Sequence, residues 1–181
     1  EALTAVQQQR YKGSGEVSGK TPTYASDASA TYLNTDQTTA LEVKKTVVCP
    51  SSEISTAAKH PFTFTLYVDS TGDNVASDLE PYANKTYTLK NADGTTSSGT
   101  TSSTGTFTLK HGQTAHFDDV KIGTAYRVVE AADPDYIQTP DNTTGTITDT
   151  GTATTASYVN YRDTLPNTLS ITKSVKPVAG I

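Results

Sequence analysis

An all-β sandwich is the fold that this sequence predicts, on three observations. Threonine supplies 35 of the 181 residues, and a β-branched side chain stiff at χ1 suits the watered face of a strand better than a helix interior. Apolar and polar residues alternate in many short runs, the period of a half-buried strand. Turn-forming Gly, Pro, Asn and Asp separate those runs at a spacing typical of two packed sheets. No useful length of sequence shows a 3.6-residue period, so a helical bundle is excluded.

The elements follow in order. Residues 41–48 (LEVKKTVV) put Leu41, Val43, Lys45 and Val47 on one face and Glu42, Lys44 and Thr46 on the other. Residues 62–68 (FTFTLYV) give the cleanest alternation, with Phe62, Phe64, Leu66 and Val68 inward. Further strands are predicted at 86–90, 105–110, 113–120, 124–130, 144–149 and 154–161. Asp93-Gly94, Lys110-His111-Gly112, Ile122-Gly123 and the Asp133-Pro134-Asp135 corner supply turns between them. One helical turn is expected near Val75–Leu79, and 91–104 (NADGTTSSGTTSST) is a flexible surface loop by composition.

Composition narrows the functional classes. The net charge is −5 and the basic residues do not cluster, the wrong balance for attraction to nucleic acid or an anionic membrane. No apolar stretch is long enough to span a bilayer. The sequence opens with neither Met nor a leader, and reads as an internal piece of a longer chain. A lone Cys49 cannot form an internal disulfide, so a robust exported domain would need another covalent device.

An internal repeat divides the chain. Residues 30–47 read ATYLNTDQTTALEVKKTV and 156–175 read ASYVNYRDTLPNTLSITKSV. Both are Ala-x-Tyr-x-Asn, a polar connector, then Leu-x-Val/Ile-x-Lys-x-Val. A period of about 126 residues is one domain long. The expected organisation is the tail of a preceding domain at 1–34, a linker at 35–40, a complete domain at 41–163, and a linker with the first strand of a following domain at 164–181. Glu1 with Tyr11 and Gly15-Glu16-Val17 loosely parallels Glu130 with Tyr136 and Gly145-Thr146-Ile147.

LEVKKTV, FTFTLYV, FTLKHGQTAHFDDVKIGTAYRVVE and SYVNYRD together resemble CnaB-type domains of Gram-positive pilins and surface adhesins, over roughly residues 41–163. The resemblance implies an inverse immunoglobulin-like antiparallel sandwich. It also implies a self-made isopeptide bond between a Lys on the first strand and an Asn on the last, promoted by a Glu. Position by position, these are Lys45, Asn160 and Glu130, with Glu1, Asn34 and Lys173 as equivalents in the flanking repeats. Lys44 competes for the first role, but pleat parity sets Lys45 on the apolar face.

The chemistry stands on its own terms. A lysine amine is a nucleophile only when neutral, and burial disfavours the ammonium. The same desolvation favours a protonated Glu130, which could hydrogen-bond the Asn160 amide oxygen, polarise its carbonyl carbon and relay a proton to departing ammonia. Parity supports the arrangement: Tyr126, Val128 and Glu130 share one face, as do Ala156, Tyr158 and Asn160. The alternative for Lys45 is an edge-strand lysine with its head in water.

Other constellations are weak. His60, His111 and His116 lack metal-ligand spacing and read as solvated loop residues. Asp69–Asn74 lacks the acidic alternation and closing Glu of a calcium loop. Leu165–Leu169 (LPNTL) resembles a sortase signal but reads as a linker. No metal or cofactor is expected. The reading is a cell-wall-anchored extracellular stalk or shaft domain, partnered by neighbouring domains, with no enzymatic role beyond one self-directed turnover. Two rivals are a module binding host extracellular matrix or glycan and a spacer of a secreted multidomain enzyme.

Overall fold

The computed structural model describes residues 11–13, 34–69 and 78–162. It is a two-sheet β-sandwich. One sheet runs β11-β13-β3-β9-β6-β7: Ile137–Asp141, Thr154–Tyr161, Thr38–Val48, Thr114–Lys121, Thr86–Lys90 and Thr96–Thr100. The other runs β12-β10-β4-β5: Thr144–Thr146, Ala125–Glu130, Phe62–Asp69 and Leu79–Pro81, with β8 (Thr106–Leu109) also paired to β4. A separate pair, β1 (Tyr11–Gly13) and β2 (Asn34–Asp36), lies next to β3 in sequence. Every pairing is antiparallel except that of β3 with β13, which is parallel.

Period-2 sequence translates directly into burial. Along β3 the side chains of Leu41, Val43, Lys45 and Val47 are buried while Lys44, Thr46 and Val48 face water. Phe62, Phe64 and Leu66 on β4 point into the same core. Between the sheets the rings of Phe64, Phe107, Phe117, Tyr87 and Tyr158 meet in a chain of contacts with centroids 5.2–5.6 Å apart, spacings at which edge and offset contacts are favourable. Gly105 turns the chain into β8 with φ +72°, and a Cβ there would stand 2.7 Å from the Leu66 carbonyl oxygen, so glycine is required.

Several expectations change. The 91–104 segment is not a flexible loop: it holds β7, paired with β6 across a turn at Asp93-Gly94. Gly94 takes φ +83°, and Asp93 accepts the Thr95 N–H at 2.9 Å. Ser and Thr, counted as linker composition, also suit an exposed edge strand. β11 carries no alternation because, as an edge strand holding Pro140, it buries almost nothing. A helical turn, α1, forms at Ile54–Ala57 between β3 and β4. Of the turn expected near Val75–Leu79, residues 75–77 lie outside the described residues and Leu79 opens β5. β3 begins at Thr38, so part of the 35–40 segment is strand paired with β9.

Candidate functional site

Three polar side chains occupy the apolar interior at one end of the sandwich. Lys45, Glu130 and Asn160 are 1%, 5% and 0% exposed. Lys45 and Asn160 come from the adjacent parallel strands β3 and β13, where Asn160 pairs with Val47, two residues beyond Lys45 and on the same face. Glu130 ends β10 in the opposite sheet, beside Phe64 of β4. The Lys45 amine donates to both carboxylate oxygens of Glu130, at 2.8 Å to Oε1 and 3.0 Å to Oε2. Asn160 Nδ2 donates to the same Oε1 at 2.6 Å.

The surroundings are dry and aromatic. Lys45 Nζ stands 3.9 Å from the centre of the Phe62 ring and 5.9 Å from that of Phe64. The Tyr158 hydroxyl crosses between the sheets to donate to the Val128 carbonyl at 2.8 Å. Burial pulls the Lys45 amine below the ordinary lysine range, and the Glu130 carboxylate offsets part of that shift. One detail departs from the sequence reading: the amide nitrogen of Asn160, not its oxygen, faces Glu130. Asn160 Oδ1 is buried with no hydrogen-bond partner. A carboxylate already accepting from lysine is an acceptor for a second donor as well.

Of the flanking candidates, Glu1 and Lys173 lie outside the described residues, and Asn34 is described only as backbone in β2. His116 is not a solvated loop residue, whereas His60 and His111 do lie in connections, each half-buried against a partner. His116 sits in β9 with Nδ1 2.9 Å from Glu42 and Nε2 2.9 Å from Asp118. His111 Nδ1 accepts the Val47 N–H at 2.9 Å, and His60 Nε2 lies 2.7 Å from Asp133 Oδ2. The Glu42 and Asp133 contacts join residues more than 70 positions apart, which sequence spacing cannot reveal. Among the described residues no group of His, Cys, Asp and Glu could hold a metal ion, and no helix is long and apolar enough to cross a membrane.

A family model described as a domain of unknown function (DUF7601) matches residues 39–162. The chain belongs to the DUF7601 family. That match covers the sandwich from β3 to β13, so Lys45, Glu130 and Asn160 all fall within the DUF7601 domain. No curated protein sequence matches the chain. Solved structures similar to the DUF7601 domain include three Streptococcus pyogenes proteins. A pilus-presented adhesin (Cpa) is 19% identical with TM-score 0.45, over 70% of this chain and 28% of that one. A major pilin is 20% identical with TM-score 0.45, over 72% and 50%. The T3.2 major pilin is 22% identical with TM-score 0.44, over 77% and 51%. Each of those chains is thus matched over about half its length or less.

Proposed function

We propose that this domain is a stalk module of a Gram-positive surface pilin or adhesin, held closed by a self-made isopeptide bond between Lys45 and Asn160 with Glu130 as catalytic residue. The observation that carries the reading is one buried oxygen, Glu130 Oε1, in contact with both the amine and the amide nitrogen. The sequence resemblance to CnaB-type domains at the same three positions supports it independently of the geometry.

The chemistry balances without a cofactor. Lys45 passes a proton to Glu130 and becomes a neutral nucleophile. Its Nζ attacks Cγ of Asn160; the Nζ–Cγ bond forms and the Cγ–Nδ2 bond breaks. Glu130 delivers a proton from the amine to Nδ2, which leaves as ammonia, so the carboxyl group is regenerated. Contact within a rigid core replaces a bimolecular encounter, for which effective molarities of about 10⁵ M or more are known. That term explains how an unactivated amide reacts at all.

The bond's value is mechanical. β3 and β13 are parallel neighbours, so a chain pulled from both ends loads them in shear. A cross-link from Lys45 to Asn160 would carry that load directly from the first strand to the last, leaving the intervening sandwich unstressed. Closing a loop of that length also constrains the unfolded chain by roughly 4–5 kcal/mol, by analogy with a disulfide. This reading makes the protein an extracellular, wall-linked structural element partnered by its neighbouring domains, with the 41–163 segment as the repeating unit.

Intact-mass measurement tests it. The wild-type domain is expected to weigh one ammonia less than its sequence, and Glu130→Ala to regain the full mass and melt at lower temperature. A full-mass wild type refutes the bond; a mass deficit that persists in Glu130→Ala refutes the role given to Glu130.

A further inference from the structure

The cross-link site lies beneath a small aromatic lid, to which two connections contribute a ring each. Phe62, in contact with the Lys45 amine, meets Tyr136 edge-on at 5.0 Å and His60 edge-on at 4.8 Å. His60 and Tyr136 are themselves 5.3 Å apart. Phe62 and Tyr136 are 2% and 9% exposed, so these rings separate the amine from water. His60 comes from the connection that follows α1, where its N–H donates to the Ala57 carbonyl at 3.2 Å. Tyr136 comes from the turn between β10 and β11.

One carboxylate ties the two connections together. Asp133 Oδ1 accepts the Asp135 N–H at 3.0 Å, and the Asp133 carbonyl accepts the Tyr136 N–H at 3.1 Å, which shapes the turn that presents the Tyr136 ring. The other oxygen, Oδ2, is left for His60 Nε2 at 2.7 Å. At the outer rim Arg162 lies 5.9 Å from the Tyr136 ring and pairs with Glu53 at 3.5 Å. These are interactions of the right kind to hold a ring stack shut, since each ring contact contributes only about 1 kcal/mol alone.

We infer that His60 and Asp133 form a latch that closes the Phe62–Tyr136 lid over the Lys45 amine, making both positioning residues for the cross-linking reaction. The inference rests on the proposed isopeptide bond. The latch acts on geometry and dryness: a closed lid keeps Phe62 against Nζ, fixes the amine beside Glu130, and excludes water that would solvate the ammonium. Asp133 also lies near enough to Lys45 for its charge to favour the ammonium, a smaller effect than the burial that disfavours it. Loss of the latch therefore slows the amine by loosening its position and admitting water, although all three reacting groups are still present.

The test times ammonia loss by intact mass after cell-free synthesis of the whole chain. It compares the wild type with His60→Ala, His60→Gln and Tyr136→Phe. Each change is also made in an Asn160→Ala background, which cannot cross-link, to follow melting temperature and amide hydrogen exchange at His60 and Tyr136. His60→Ala is expected to cross-link more slowly by on the order of tenfold or more, as small misplacements of reacting groups do. Its two amides should exchange faster. His60→Gln keeps a donor for Asp133 and should recover part of the rate; Tyr136→Phe keeps the ring and should match the wild type. A rate for His60→Ala equal to wild type, or a rate that follows melting temperature alone across the set, overturns the latch. A wild type that never loses ammonia overturns the isopeptide reading and the latch with it, so the two failures are distinct.

Discussion

Strand β3 carries a lysine on each face, and both meet a carboxylate at salt-bridge distance in opposite media. On the outer face Lys44 lies 3.2 Å and Lys90 2.8 Å from Glu42, and the lysine side chains are 48% and 44% exposed. On the inner face Lys45 lies 2.8 Å from Glu130 and both side chains are fully buried. Distance is nearly the same; solvent is not. In water the outer charges are screened and their pairing is worth little. Inside, the pair is unscreened: burial pulls the Lys45 amine below its ordinary range, and the Glu130 carboxylate offsets part of that shift. A one-residue step along a pleated strand thus separates a solvated lysine from a buried one, the nucleophile of the proposed reaction.

The largest expected effect breaks that comparison directly. Lys45→Ala removes the proposed covalent closure and leaves Glu130 without its counter-charge in the core, a loss of about 4 kcal/mol or more. Lys44→Ala, on the same strand, should change stability by less than about 1 kcal/mol and keep the one-ammonia deficit relative to its own sequence mass. Thermal melts with intact masses of both variants check this. Similar losses from the two faces would show that burial does not distinguish these lysines.

A second pair of variants sharpens the inner half. Lys45→Met keeps a long apolar side chain but strands the carboxylate; adding Glu130→Leu removes the stranded charge as well. A buried ion pair is weak support for a fold, whereas half of one is strongly destabilising. The double variant is therefore expected to recover about 3 kcal/mol relative to Lys45→Met alone, measured by urea unfolding, with neither chain losing ammonia. A double variant no more stable than the single one would mean that Lys45 and Glu130 are held for structure rather than chemistry.

How much of this was legible beforehand depends on whether the information was local. The faces of β3, β4, β10 and β13 follow from period-2 alternation, because a strand buried on one side must alternate. Lys45, Glu130 and Asn160 could be named because parity puts each among apolar neighbours and because the sequence resembles a family at those positions. The lid could not. His60 and Asp133 lie in turns whose residues satisfy turn rules equally well with or without a partner 73 positions away. Nor could β7 and β11, which bury no side chain and so leave no periodic trace. The orientation of the Asn160 amide was equally invisible, since it is decided by which donors already occupy Glu130.

The smallest effect belongs to the outer cluster and is read through pH. Partial burial alone would raise the Glu42 carboxyl, but hydrogen bonds from Lys90, His116 and Lys44 outweigh it and hold the group at about 2, against an ordinary 4.5. A folded-state value below the unfolded one means that the contribution to stability is complete above pH 4.5 and disappears as pH falls toward 2. The shift sets a ceiling near 3 kcal/mol, which water around the half-exposed lysines reduces to on the order of 1 kcal/mol. Urea unfolding of Asn160→Ala with and without Glu42→Gln should therefore differ by that amount at neutral pH. The two curves should converge as the pH is lowered through the Glu42 window, because protonating Glu42 removes the charge that Glu42→Gln lacks. A gap that stays constant down to pH 2 would mean that Glu42 contributes through packing on the outer sheet, and that its charge is as thoroughly screened as its surroundings suggest.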